Sequence, residues 1–171
     1  MATKPVPPRP APRLYLATPP VDEPSQLAAK LAELLAAADV AAVLVRLRES
    51  DPRSMISTVK GLAPAIQNAG AALLIDGHPD IVARAGADGA HLTGIAAMEE
   101  AMPSLRPDRI VVGEIRGAEV VDLLAALNTG HDGGAGTLHA NSIEEVPARF
   151  EALAALGGLD RAGLHSQLAA A

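Results

Sequence analysis

The chain has 171 residues with a net charge of −6; 49% are hydrophobic, 20% charged and 1% aromatic, and none is cysteine. That is enough apolar material for a core and excludes a disordered tail, while a complete eight-unit βα barrel needs roughly 200 residues or more. The acidic balance with only Tyr15 and Phe150 as rings argues against a nucleic-acid partner, the missing thiols exclude disulfides and cysteine-held zinc, and no apolar run is long enough for membrane insertion, so the expected location is cytoplasmic.

Residues 1–12 form a proline-rich arm, extended because proline at this density blocks helix and sheet. Arg13–Thr18 then reads as a strand closed by Pro19 and Pro20. Ser25–Ala38 reads as a helix capped by Ser25, with Leu27, Leu31, Leu34 and Leu35 on one face. Val40–Leu47 is a continuous apolar run, the pattern of a strand buried on both sides. A helix over Pro52–Asn68 is stopped by Gly70, and Ala71–Ile75 is the next strand. A short helix, Asp80–Ala85, and a short strand, Ala90–Leu92, follow, and the helix Ile95–Met102 ends before Pro103.

The rhythm then repeats. Arg109–Gly113 is a buried strand, Gly117–Leu127 a helix, Gly130–Gly136 a glycine-rich loop, and Thr137–His139 lies on or beside a strand. Ile143–Leu156 and Arg161–Ala171 are helices separated by Gly157 and Gly158. The expected class is α/β, with one parallel sheet of about six βα units.

RLYLATP, VLVRLRESD and, above all, GADGAHL (Gly86–Leu92) resemble the first βα units of the thiamine-phosphate synthase family. The resemblance implies a half-barrel over residues 13–105. It also implies chemistry on a thiazole phosphate and a pyrophosphate held with magnesium. Arg46 and Arg48 match the family's basic stretch after its second strand and, two residues apart, share one side of a strand, facing its C-terminal end. Asp76 stands where the family has a metal-binding acid. The second acid is missing, because Gly94 is followed by Ile95 and Ala96.

From Arg106 the text changes. RIVVGE, a glycine-rich loop and GTLHAN closely resemble the Walker B strand and His box of hexameric ATPases of type II and type IV secretion and Flp-pilus assembly. Residues 106–171 then form a partial RecA-like motor module. The resemblance implies ATP and magnesium as cofactors, secretion-motor subunits in a homo-oligomer as partners, and Glu114 and His139 as catalytic residues, with Arg116 beside the nucleotide. An apolar strand delivers Glu114 to the C-terminal edge of a sheet, and His139 stands at the tip of a neighbour, roughly 5–10 Å away at the usual strand spacing. The backbone of the glycine-rich loop can pass close to a ligand. His131 and His139 lack metal-ligand spacing, so no metal site is assigned.

The chain contains no G-x-x-x-x-G-K-[ST] motif, and no lysine lies beyond Lys60. Nothing therefore cradles a triphosphate. Three readings stand: a weak nucleotide-binding or motor-docking secretion module; a thiamine-phosphate synthase relative, a transferase, with a degenerate site; and a catalytically silent α/β domain. The text reads as a chimera whose two parts meet at LRPDRIVVG.

Overall fold

The computed structural model describes residues 11–21, 23–129 and 134–171. It divides into two compact units, Met1–Leu105 and Arg106–Ala171.

The first unit carries strands β1 (Leu14–Ala17), β2 (Val40–Val45), β3 (Ala72–Asp76) and β4 (Gly89–His91). They form one parallel sheet in the order β1-β2-β3-β4. Between them run helices α1 (Pro24–Ala37), α2 (Pro52–Gln67) and the short α3 (Val82–Ala85), and α4 (Ile95–Leu105) follows. The strands are parallel because every connection contains a helix, which returns the chain to the same end of the sheet.

One face of the sheet carries the core. Val43 and Val45 of β2 and Leu73 and Ile75 of β3 pack with Leu31 and Leu35 of α1 and Val59, Leu62 and Ile66 of α2. Each fully buried aliphatic side chain is worth about 1.5–3 kcal/mol. Asp51 starts α2: its carboxylate accepts hydrogen bonds from the amides of Arg53 and Ser54 and from the Ser54 hydroxyl. Those bonds hold the Asp51 carboxyl below the usual range. Gly86 ends α3 in the left-handed conformation, φ 73°, where a side chain would be strained.

Two local expectations are corrected. Ser25 does not cap α1. The flanking residue is Glu23, with Pro24 opening the helix and no side-chain cap, since proline has no amide to satisfy and its fixed φ already suits the first turn. Pro103 does not end α4, which runs on to Leu105, and Pro64 likewise lies inside α2. Each helix gives up one main-chain hydrogen bond there. Buried neighbours on the same helix, Ala101 in α4 and Leu62 and Ile66 in α2, anchor it on both sides of the break or close to it.

The second unit carries β5 (Val111–Val112) and β6 (Ala135–Gly136), a parallel pair, with α5 (Val120–Leu127), α6 (Val146–Leu156) and α7 (Arg161–Ala170). Its buried side chains are Ile110, Ile115, Val120, Leu123, Leu124, Leu153, Ala154 and Leu164. The single sheet of six units is therefore corrected: among the described residues four strands form one sheet and two form another. The reason lies in the hydrogen bonds of β5. It is two residues long, and its segment bonds to β6: Ala135 N to Ile110 O at 3.0 Å, Thr137 N to Val112 O at 3.3 Å and Ile115 N to Thr137 O at 2.7 Å. Val111 remains 74% exposed.

Leu62 lies fully buried among aliphatic neighbours of α1, α2 and the sheet. Leu62→Ala is expected to destabilise the first unit by about 3 kcal/mol, read as a lowered midpoint in urea unfolding followed by circular dichroism.

Candidate functional site

The second unit brings Glu114, Arg116 and His139 together. Glu114 follows β5 in the turn to α5, and His139 follows β6, so the parallel pairing carries both to the same edge. Buried Ile115 anchors the turn between Glu114 and Arg116. The amides of Arg116 and Gly117 both donate to the Glu119 carboxylate, at 2.5 and 2.9 Å, which shapes the turn and holds the Glu119 carboxyl below its ordinary range. The Thr137 hydroxyl donates to the Gly113 carbonyl and ties the segment after β6 to the same turn.

Both oxygens of Glu114 are engaged. Arg116 Nη2 meets Oε2 at 2.5 Å, and His139 Nε2 meets Oε1 at 3.1 Å. The two side chains turn toward each other, so they sit closer than the strand spacing alone implies. The Arg116 hydrogen bond holds the Glu114 carboxyl below the usual glutamate range, with the charges of Arg116 and His139 adding to it. The same pair pushes the Arg116 guanidinium up. Such a carboxylate is a poor proton acceptor. His139 is 87% exposed at its side chain and opens onto a groove of about 520 Å³ lined also by Asn141, Glu145, Arg149 and three alanines. Glu145 is held there by the amide and side chain of Asn141, at 3.2 and 2.9 Å.

The glycine-rich loop serves packing where it is described. A Cβ on Gly134 would lie 2.2 Å from Leu127 Cδ2 and 3.0 Å from the Ile110 carbonyl. On Gly136 it would lie 2.8 Å from Ile115 Cδ1. These glycines let β6 approach β5 and α5. The remainder of the loop, residues 130–133, including His131, lies outside the described residues.

The first unit forms a second cluster at the C-terminal edge of its sheet. Asp76 ends β3 and His91 ends β4, and the register pairs them. His91 Nδ1 lies 2.9 Å from Asp76 Oδ1, and Arg46 Nε lies 3.4 Å from Asp76 Oδ2. Arg46 is placed by its main chain: its amide donates to the Thr18 hydroxyl at 3.0 Å, and its carbonyl accepts from Val21 at 2.9 Å. The Tyr15 hydroxyl is pushed up, by partial burial first and by the Asp76 charge second. Arg48 lines a groove of about 230 Å³ with Glu49, Ser50 and Ser54, beside the start of α2. β2 ends at Val45, and one further parallel bridge joins Leu47 to Val21.

Sequence reasoning missed His91 and Tyr15. The signal for His91 was present, since GADGAHL places it at a strand end opposite Asp76. The same motif has a structural role through Asp88, whose carboxylate accepts from the Leu73 amide at 2.7 Å and from Gln67 Nε2 at 3.1 Å.

Neither cluster fits magnesium. A hard divalent cation takes six or more oxygen ligands, usually with one or two carboxylates. Here each carboxylate spends both oxygens on cationic or histidine nitrogens. Among the described residues no group of three or more histidine, cysteine or acidic side chains is placed to hold a metal. No helix of those residues is long and apolar enough to cross a membrane.

Residues 89–170 match the family described as Type II/IV secretion system protein. The match begins within the first unit, at β4. A conjugal transfer protein of Mycobacterium tuberculosis is 63% identical over 105 residues, 59% of this chain and 30% of that protein. The chain thus spans about a third of that relative's length. A thiamine-phosphate synthase of Rhodospirillum centenum is 40% identical over 80 residues, 47% of this chain and 39% of that protein. A thiamine-phosphate synthase of Hyphomonas neptunium is 31% identical over 158 residues, 85% of this chain and 70% of that protein.

Two measurements check the geometry. A carboxylate whose folded-state pKa is depressed stabilises above its ordinary range and loses that contribution as pH falls through the depressed value. The gap in melting temperature between wild type and Glu114→Gln should therefore be present at neutral pH and close on acidification below about pH 4.3. Gly134→Ala should destabilise the second unit by about 1–3 kcal/mol, because the Ile110 carbonyl is backbone and cannot move aside cheaply, read by thermal unfolding.

Proposed function

Because this chain belongs to the thiamine-phosphate synthase family and its residues 89–170 match the secretion-system family, we propose that it is a non-motor secretion module: a RecA-derived unit that docks in secretion-type machinery and meets nucleotide only weakly. The 63% identity to a conjugal transfer protein supports the secretion side of this reading. One observation carries the lack of turnover: the Glu114 carboxylate, which would have to orient water or help hold magnesium, is already bound to Arg116 and His139. Phosphoryl transfer depends on positioning and charge neutralisation, and the sequence has no phosphate-cradling loop to supply them.

The purified chain is expected to show no ATP hydrolysis above background, and only weak nucleotide binding by calorimetry. Glu114→Gln removes a negative charge and releases Arg116, so affinity for a free triphosphate should rise several-fold. Rapid magnesium-dependent hydrolysis that this substitution abolishes would place a working motor site here and overturn the reading.

The Arg46–Asp76–His91 cluster favours a second reading, a transferase-derived phosphate site on the first unit. Thiazole phosphate or pyrophosphate is the ligand class it would take. With Asp76 occupied and no acid at Ile95 or Ala96, thiamine phosphate formation is expected to be undetectable from the two substrates with magnesium. Turnover lost in Asp76→Asn would instead make this chain a synthase.

A further inference from the structure

Glu114 and Arg116 flank Ile115, which is buried and whose amide donates to the Thr137 carbonyl at 2.7 Å. With Ile115 held inward, the charged side chains on either side of it turn outward together. That brings them near each other but does not keep them paired. The Arg116 side chain is 78% exposed, and an exposed ion pair gains little over the entropy lost in holding two flexible side chains in one geometry. A pair of this kind lasts only where the main chain beneath it is fixed.

The main chain of Arg116 is fixed by a third side chain. Glu119 Oε1 accepts from the amides of both Arg116 and Gly117, at 2.5 and 2.9 Å. Gly117 admits the carboxylate: a Cβ there would lie 3.0 Å from Glu119 Oε2. Glu119 is itself anchored by α5. Its carbonyl accepts from the Leu123 amide at 3.0 Å, and the next residue, Val120, is fully buried. The order of support therefore runs from the packed helix to Glu119, from Glu119 to the Arg116 amide, and from there to the guanidinium on Glu114.

We propose that Glu119 is the positioning residue of the Glu114 cluster: by pinning the amides of Arg116 and Gly117, it sets the Arg116 guanidinium on Glu114 and withholds that cation from an outside anion. The inference rests on the reading of this cluster as a self-paired site without turnover, and adds that the pairing is imposed from α5 through the main chain. Both amides use the same carboxylate oxygen. Glutamine, which keeps one side-chain oxygen, can hold the turn; alanine cannot.

The test compares Glu119→Ala with Glu119→Gln in the full chain. The two variants carry the same charge at position 119 and differ in whether an acceptor is present. Phenylglyoxal, an arginine reagent, reads the position of Arg116 by peptide mass mapping, with Arg149, exposed in the same unit, as the internal reference. Arg116 should be modified several-fold faster in Glu119→Ala than in Glu119→Gln, and Glu119→Gln should match wild type, while Arg149 reacts alike in all three. Magnesium-free ATP should bind several-fold more tightly to Glu119→Ala than to Glu119→Gln by calorimetry. Should Glu119→Ala fail to fold, Glu119→Asp keeps the charge but shortens the reach, and should likewise speed modification of Arg116 over wild type. The two possible failures are distinct. Rapid ATP hydrolysis by wild type overturns the self-paired reading. Equal Arg116 rates in the alanine and glutamine variants, or equal ATP affinities, overturn the positioning role with that reading intact.

Discussion

A carboxylate has two oxygens, and at both strand-end clusters of this chain both are taken. Asp76 gives one to His91 and one to Arg46, while Glu114 gives one to His139 and one to Arg116. In each case the acid and its partners arrive by the same route. Parallel strands end at one edge, and the residues just beyond them converge there. A constellation of this kind is a serviceable way to bind phosphate or metal only if the acid is shared with the ligand. Here it is shared within the chain, so each cluster is nearly self-neutral.

The pairing also explains how two unlike stretches of sequence each make a stable body. In the first unit β2 is buried along its length, and α1 and α2 cover one side of it. In the second, a much shorter parallel pair is held by Ile115, Leu123 and Leu124 beneath α5. The close approach of Gly134 and Gly136 substitutes for the missing strand length. At Gly134 and Gly136, the two glycines of that loop among the described residues, packing requires the missing side chain.

Much of this was legible in the sequence, for physical reasons. The uninterrupted run Val40–Val45 has no polar residue to place on a solvent face, so it declares a buried strand. The alternation of strand and helix from Arg13 to His91 declares parallel pairing. Glu114 and His139 were legible as partners because an apolar strand precedes each or lies beside it. What was not legible depends on tertiary choice. Whether β5 joins the first sheet is decided by which edge accepts the hydrogen bonds of two residues, and no local pattern encodes that. Pro103 reads as a stop, and only tertiary packing, of Ala101 before it and Leu105 after it, shows that the helix continues. His91 went unnoticed because its partner Asp76 lies in a different strand.

The consecutive order of the four-stranded sheet bears on how the chain acquires its structure. Every strand pairs with the next one in sequence, and its ties are correspondingly short: Arg13 reaches Asp39, and Leu73 reaches Asp88 across 15 positions. Each loop that has to close is a single helical connection, so little extra loop-closure entropy separates one pairing from the next. The ribosome releases a chain from its N-terminus at roughly 5–20 residues per second. β1 to β4 can therefore assemble in turn as they emerge, and all the residues of the first unit's core are synthesised before His139 of the second.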